Sequence, residues 1–337
     1  MLLKLYSALT HLTTFHRIQI DEMANQSSVR EFVLMGFSDD SDLQILHSAM
    51  FFIVYVTALT GNSLIITAVA VDHNLHNSMY YFLVNLSILN MCSIFTTVPK
   101  SIAVSLTNNK GISLAGCIIQ TFLIVTFVGC EAFLLTIMAY DCYVAICHPL
   151  QYRLIMNWNA CIQIRAISFL FNLMHAVLET CLTFQLDFCE SNVMGQYFCD
   201  IPQLQKISCR DTKFNETLIL VGGFFLDSFF PFIFASYTHI FSAVIKIRSV
   251  QSRHKVFSTY IPHLTVFSLF IITGVFSYMR PKSLSTQSVD LLSAVLYTIL
   301  PPVLNPIIYS FRNKDLQKAL IKILLKIIIL QHVYIKR

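Results

Sequence analysis

Charge is scarce in this sequence: Asp, Glu, Lys and Arg fill 12% of its 337 positions, against about a quarter in soluble globular domains. A chain so poor in charge cannot clothe a water-facing surface, which excludes the two or three soluble domains that its length alone would allow. Other absences narrow the function. There is no Gly-rich loop to cradle a phosphate, no paired histidines at metal spacing and no nucleophile set beside its base, so neither enzyme chemistry nor a cofactor is expected. His73 and His76 stand three apart in a loop, but two loop histidines are weak grounds for a metal, and no metal site is expected. No internal repeat is detectable, and Lys100, Glu131 and Asp227 trace no charged route; both facts count against a transporter or channel with broken helices in matching halves. The net charge of +5 is not gathered into one solvated patch, so no nucleic-acid partner is expected.

What is present is oil. Hydrophobic residues make up 55% of the chain and the mean hydropathy is +0.66. Seven nearly uncharged runs recur, at His47 to Val71, Tyr80 to Leu106, Leu114 to Ala139, Cys161 to Leu186, Thr217 to Ile245, Tyr260 to Met279 and Val289 to Tyr309. Each is long enough to cross roughly 30 Å of hydrocarbon as a helix. The expected fold is an all-α membrane protein, a seven-transmembrane helix bundle with a short amphipathic helix after the last span. Residues 1–46 form an N-terminal tail, 47–309 the bundle and 310–337 the C-terminal helix and tail.

An odd number of spans puts the two termini on opposite sides. Lys246, Arg248, Arg253, Lys255, Arg312, Lys314, Lys318, Lys322 and Lys326 fall on the C-terminal side, while seven acids, among them Asp187, Glu190 and Asp200, offset the basic residues opposite. The positive-inside bias therefore predicts an extracellular N-terminus. Asn25-Gln26-Ser27 then offers a glycosylation acceptor at Asn25; Asn85-Leu86-Ser87 has the same pattern inside the second run, out of the enzyme's reach. Lys100 is expected to snorkel toward the outer interface. Beyond the last run, lysines 314, 318, 322 and 326 recur every four residues with Leu316, Leu320 and Ile323 mostly opposite, which suits a helix lying among anionic head groups.

Ten cysteines say little by their number. Cys117 opens the third run and Cys189, Cys199 and Cys209 are evenly spaced in the long loop after the fourth; four cysteines permit three pairings. Ionisable groups inside the runs are costly and so are functional candidates. Glu131 and Asp227 are the clearest, and Glu131 lies about 16 Å along its helix from Cys142.

Several motifs occur in a fixed order: MANQSSVREFVLMGFSD from Met23, LHNSMYYFL entering the second run, MAYDCYVAIC from Met138 to Cys147, SRHKVFSTYIPHLTVF from Ser252 to Phe267, and LNPIIY from Leu304 to Tyr309. Over about Met23 to Ile323 the chain resembles the olfactory receptors, a family of rhodopsin-like G-protein-coupled receptors. Residues 1–22 precede that family's usual start and read as an extra start segment. In the family the fifth residue of the MAYDCYVAIC run is an arginine, which holds the inactive state through the preceding aspartate and contacts the G protein when released; here it is Cys142. Asn90 stands where aspartate is usual, Ser78 where proline is, and Val256 and Tyr260 where alanine and cysteine are common, which marks a divergent member.

The resemblance implies disulfides Cys117–Cys199 and Cys189–Cys209, tying the long loop over the bundle as a lid. It places an odorant pocket at Ile124, Val125, Val128, Gly129, Phe225, Gly274, Tyr278 and Thr298, although any one of these could equally pack helices. It assigns activation and coupling to Asp141, Cys142, Tyr143, Asn90, Glu131, Asn305, Pro306 and Tyr309, with Glu131, Asn90 and Asn305 as a polar cluster and Pro306 as a bend. The implied partners are a small volatile odorant, a heterotrimeric G protein of the stimulatory olfactory type and the lipid bilayer of the plasma membrane. Cys142 cannot supply arginine's charge or its fork of donors, so a receptor that binds odorant yet couples weakly is the alternative.

Overall fold

A computed structural model describes residues 30–38, 40–107, 109–188, 192–209, 212, 236–242, 245, 249–278 and 286–335. Its long helices are α1 (Ser41–Val71), α2 (Ser78–Thr107), α3 (Leu114–Cys147), α4 (Trp158–Phe184), α5 (Val250–Tyr278), α6 (Gln287–Thr298), α7 (Leu300–Arg312) and α8 (Lys314–Ile335). Six apolar stretches among the described residues are long enough to cross a membrane, with α6 and α7 serving together as one. The expected run Thr217 to Ile245, with Phe225 and Asp227, falls almost wholly outside the described residues, as do Asn25 and Cys189.

Polar caps begin the helices where the sequence turns apolar. Asp40 accepts the amides of Asp42 and Leu43 at the start of α1, Ser113 that of Gly116 on α3, Asn157 that of Ala160 on α4 and Asn313 those of Asp315 and Leu316 on α8. Each satisfies donors that the first turn leaves open. Three helices extend well beyond their expected apolar runs, among them α5, which begins at Val250, ten residues before Tyr260. Helix α1 starts at Ser41 because Asp40 caps it, six residues ahead of His47; α3 runs on past Ala139 to Cys147, so MAYDCYVAIC is helical throughout.

The last expected run is not one continuous helix. It breaks at Ile299, because Pro301 and Pro302 lack the amides that would bond back to Tyr297 and Thr298. Pro306 likewise leaves the Pro302 carbonyl without its helical donor. Asn62 on α1 fills that gap: its Nδ2 donates to Pro302 O at 2.9 Å. The close approach relies on Gly61, where a Cβ would lie 3.0 Å from the Pro306 ring.

One large core cluster joins α1, α2, α3, α5, α7 and α8 through Ile65, Leu83, Leu135, Val266, Tyr309 and Leu316. On α4, Ile162, Ile167, Leu170, Met174, Val177 and Leu178 are exposed, an oily face suited to lipid. Helix α8 buries Leu316, Ala319 and Ile323 against this core while all four of its evenly spaced lysines stay exposed.

At the other end of the bundle lies a three-stranded sheet. Strand β1 (Glu31–Leu34) sits between β2 (Gly111–Ser113), antiparallel, and β3 (Val193–Met194), parallel. Its alternation buries Phe32 and Leu34 against Cys117, Phe188, Met194 and Cys199. The N-terminal segment is therefore part of the lid. Lys100 Nζ donates to the Gly111 carbonyl at 2.6 Å, fastening α2 to the edge of β2.

Candidate functional site

Beneath the sheet, a disulfide joins Cys199 to Cys117 at the start of α3. The Cys199 amide donates to Gln120 Oε1 at 2.8 Å, and Gln120 Nε2 donates to the Thr96 carbonyl on α2 at 2.9 Å. The residues on either side of Cys199 enter the bundle. Tyr197 and Phe198 are buried with Ile124, Tyr297 and Leu291, and Val128 and Tyr278 flank the same cluster. Thr298 donates to the Ala294 carbonyl, so Tyr197 is the donor in the 2.6 Å bond between its hydroxyl and Thr298.

Asp200 is buried at the junction of loop, α5 and α6. Tyr278 donates to its Oδ1 at 3.1 Å, Tyr297 to its Oδ2 at 2.6 Å, and the Ile201 amide to Oδ1 at 3.0 Å as the start of the helical turn Ile201–Lys206. Desolvation outweighs these donors and pushes the carboxyl up to about 6. Lys206 then reaches the buried Asp290 of α6 at 2.8 Å. Cys209 is disulfide-bonded too, and its expected partner Cys189 lies outside the described residues.

Of the expected pocket residues, the structure brings Ile124, Val128 and Tyr278 into one cluster and links Thr298 to it through Tyr197. Val125 and Gly274 are half-buried, and a Cβ at Gly274 would meet open space. Gly129 faces α4, where a Cβ would collide with the Asn172 carboxamide. Phe225 lies outside the described residues.

A chain of carboxamides crosses the middle of the bundle. Asn305 Nδ2 donates to Glu131 Oε1 at 3.3 Å and to Asn90 Oδ1 at 3.4 Å, and Asn90 Nδ2 donates to Asn62 Oδ1 at 3.3 Å. Asn62 also donates to the Ala58 carbonyl besides that of Pro302, so α1, α2, α3 and α7 share one network.

Toward the C-terminal end, Asp141 is buried and its Oδ1 accepts from Ser78 at 2.8 Å and from Tyr152 at 3.0 Å; the two hydroxyls also touch each other. Bonds of this kind to an ionised acceptor are worth about 1.5–3 kcal/mol each. Hydroxyls thus hold the aspartate in a chain without the adjacent arginine. Cys142 is buried against Ile240. Tyr143 is half-buried, with its hydroxyl 3.1 Å from His148 Nε2, and Tyr309 lies 3.2 Å from His263 Nδ1.

A family model described as olfactory receptor matches residues 51–327. The chain belongs to the olfactory receptor family. It is similar to Olfactory receptor 14C36 of Homo sapiens, 49% identical over 306 residues that span 90% of this chain and 98% of that protein. It is similar also to the human Olfactory receptor 14A16, at 46% identity over 88% of this chain and 96% of that protein, and to Olfactory receptor 1C1, at 42% over 92% and 99%. As an olfactory receptor the chain is a multi-pass, seven-helix membrane protein and not an enzyme.

Several residues that organise this receptor escape a reading of the sequence. Asn62 had a signal, a lone carboxamide in an apolar run. So did Glu179, an acid inside the fourth run that sits 3.3 Å from His175 one turn earlier. Asp200, Tyr297 and Tyr152 had none, since only the folded chain brings their partners near.

Proposed function

We propose that this olfactory receptor binds a small volatile odorant beneath its lid, in the outer half of the bundle, and activates a heterotrimeric G protein of the stimulatory olfactory type at the opposite face. The N-terminus is extracellular in this reading, with a glycan on Asn25 and a second loop disulfide, Cys189–Cys209, and the receptor resides in the plasma membrane. One observation carries it. The segment Tyr197 to Asp200 is buried between α3, α5 and α6, with Asp200 bonded to Tyr278 and Tyr297, so a molecule pressing on this cluster has α5 and α6 as its direct mechanical outputs. An odorant that favours one arrangement of those helices shifts an existing equilibrium. The lining is largely apolar with a few hydroxyls, which suits a small molecule oriented by one or two hydrogen bonds.

Weak coupling is the second reading, and Cys142 favours it. Asp141 is already satisfied by Ser78 and Tyr152, and a buried thiol offers no charge to a G protein. The test is cyclic AMP output of verified surface-expressed receptor across an odorant panel, wild type beside Cys142→Arg. An odorant-evoked rise in the wild type supports full signalling. A rise seen only in Cys142→Arg, or at least about fivefold larger there, as a coupling of roughly 1 kcal/mol gives, supports the weak-coupling reading. Silence of both against every odorant, with surface delivery verified, counts against odorant reception altogether.

A further inference from the structure

The C-terminal half of the bundle holds a small cavity between α2, α3, α5 and α7, bordered by Met79, Met138, Cys142, His263 and Tyr309. Its free space is about that of a single water molecule, room for an ion and not for an organic ligand. The donors around it are unusual for an apolar core: two thioethers, a free thiol and an imidazole. His263 is 2% exposed. The Leu135 carbonyl lies near its ring, yet Nε2 completes no hydrogen bond, a buried polar atom left open. What distinguishes Nε2 from other unpartnered buried atoms is that its ring borders a cavity lined by sulfur donors.

We propose that this cavity is a site for monovalent copper, held by Cys142 Sγ and His263 Nε2 with Met138 and Met79 as thioether donors. Soft sulfur ligands select Cu(I) over harder cations. Charge makes the same choice: Cu(I) with one thiolate is neutral, whereas a divalent zinc ion with the same ligands leaves a net positive charge in a dry cavity, at a cost of several kcal/mol. Binding involves no redox step. The thiol of Cys142 gives its proton to water as the sulfur–copper bond forms, and the copper remains Cu(I). Tyr309 is a positioning residue here. With its hydroxyl oxygen 3.2 Å from Nδ1, it accepts from Nδ1–H and leaves the Nε2 lone pair for the metal. The site depends on Cys142, so an arginine at that position abolishes it. A bound ion would tie α2, α3 and α5 together at that end of the bundle.

The experiment is anaerobic titration of the purified full chain with Cu(I) against a colorimetric Cu(I) chelator, independent of any signalling readout. The other free cysteines Cys92, Cys130, Cys147, Cys161 and Cys181 stay in place in every variant. Wild type should hold one tight equivalent that Cys142→Ser, Cys142→Arg and His263→Ala each weaken by about 100-fold or more, with Tyr309→Phe weakening it about 10-fold, the range of partners that orient a ligand. Equal affinity in wild type and Cys142→Ser overturns the assignment. If the variants do not fold, the copper X-ray absorption spectrum of the wild type decides: a shell with an imidazole nitrogen beside sulfur supports the site, and sulfur alone contradicts it.

Discussion

The two ends of this receptor are held by different physics. At the lid end a disulfide ties Cys199 to α3, Lys206 meets the buried Asp290, Asp200 takes two tyrosine hydroxyls and Lys100 closes on the β2 carbonyl, although Gln196 Oε1 and Gln205 Nε2 are buried there without a hydrogen-bond partner among the described residues. At the opposite end the described residues show apolar packing, a pair of hydroxyls on Asp141, the Tyr80–Asn313 and Tyr143–His148 bonds and a buried thiol. Hydroxyls on a buried aspartate serve both ends alike; the disulfide and the ion pair to buried Asp290 fix geometry only at the lid end, whereas apolar packing can be exchanged at smaller cost. The contrast suits a molecule that receives at a rigid end and moves at a loose one.

The largest expected break in that contrast comes from the disulfide. Cys117→Ser should cost roughly 2–5 kcal/mol and sharply reduce folded protein at the cell surface, measurable by flow cytometry against an N-terminal tag; undiminished surface signal would show that the lid end does not depend on it. Next is Asn62→Leu, which strands the Pro302 carbonyl and removes a partner of Asn90. Two lost bonds in a water-free interior put the loss at about 2–4 kcal/mol in a thermal-shift assay, and a shift no larger than that of an exposed substitution would dismiss the role given to Asn62.

Asp200 gives the contrast a pH signature. Burial raises its carboxyl from 3.8 to about 6, so the folded receptor holds this proton more tightly than the unfolded chain does. Its contribution is greatest below the unfolded value near 3.8 and declines as pH rises through about 6. Relative to Asp200→Asn, the wild type should lose up to about 3 kcal/mol of stability between about pH 4 and 7; parallel pH profiles for the two proteins would contradict the buried, clamped carboxyl. The smallest effect is expected at Gly129→Ala. The added methyl pushes on Asn172, for about 1–2 kcal/mol of destabilisation, and an unchanged melting temperature would mean that α3 and α4 are not in close contact there.

Much of this was legible in the sequence, for identifiable reasons. Charge-free runs announce membrane helices because lipid leaves the backbone no other partner, and MAYDCYVAIC and LNPIIY place the third and last spans without any tertiary information. Glu131 stood out as a lone acid against oil, whereas its grouping with Asn90 and Asn305 came from the family resemblance. The sheet was not, since strands of two to four residues carry almost no pattern and β1 pairs with residues far along the chain, Glu31 with Ser113 and Val33 with Val193. The break at Ile299 was written in Pro301 and Pro302 but hidden by the run's unbroken hydropathy. Partners of Asp141 and Asp200 come from hydroxyls distant in sequence, and hydroxyls are too common in helices to single out beforehand.

Hydrogen–deuterium exchange of the surface-competent receptor, with and without an odorant identified in the panel, tests the fixed-lid, loose-base account most directly. The segment Tyr197 to Asp200 should be well protected without odorant and more so with it, while exchange at the C-terminal end of α3 and the N-terminal end of α5 rises on binding. Fast exchange in the lid segment, or an odorant effect confined to it with no change at Asp141 and Cys142, would contradict the account.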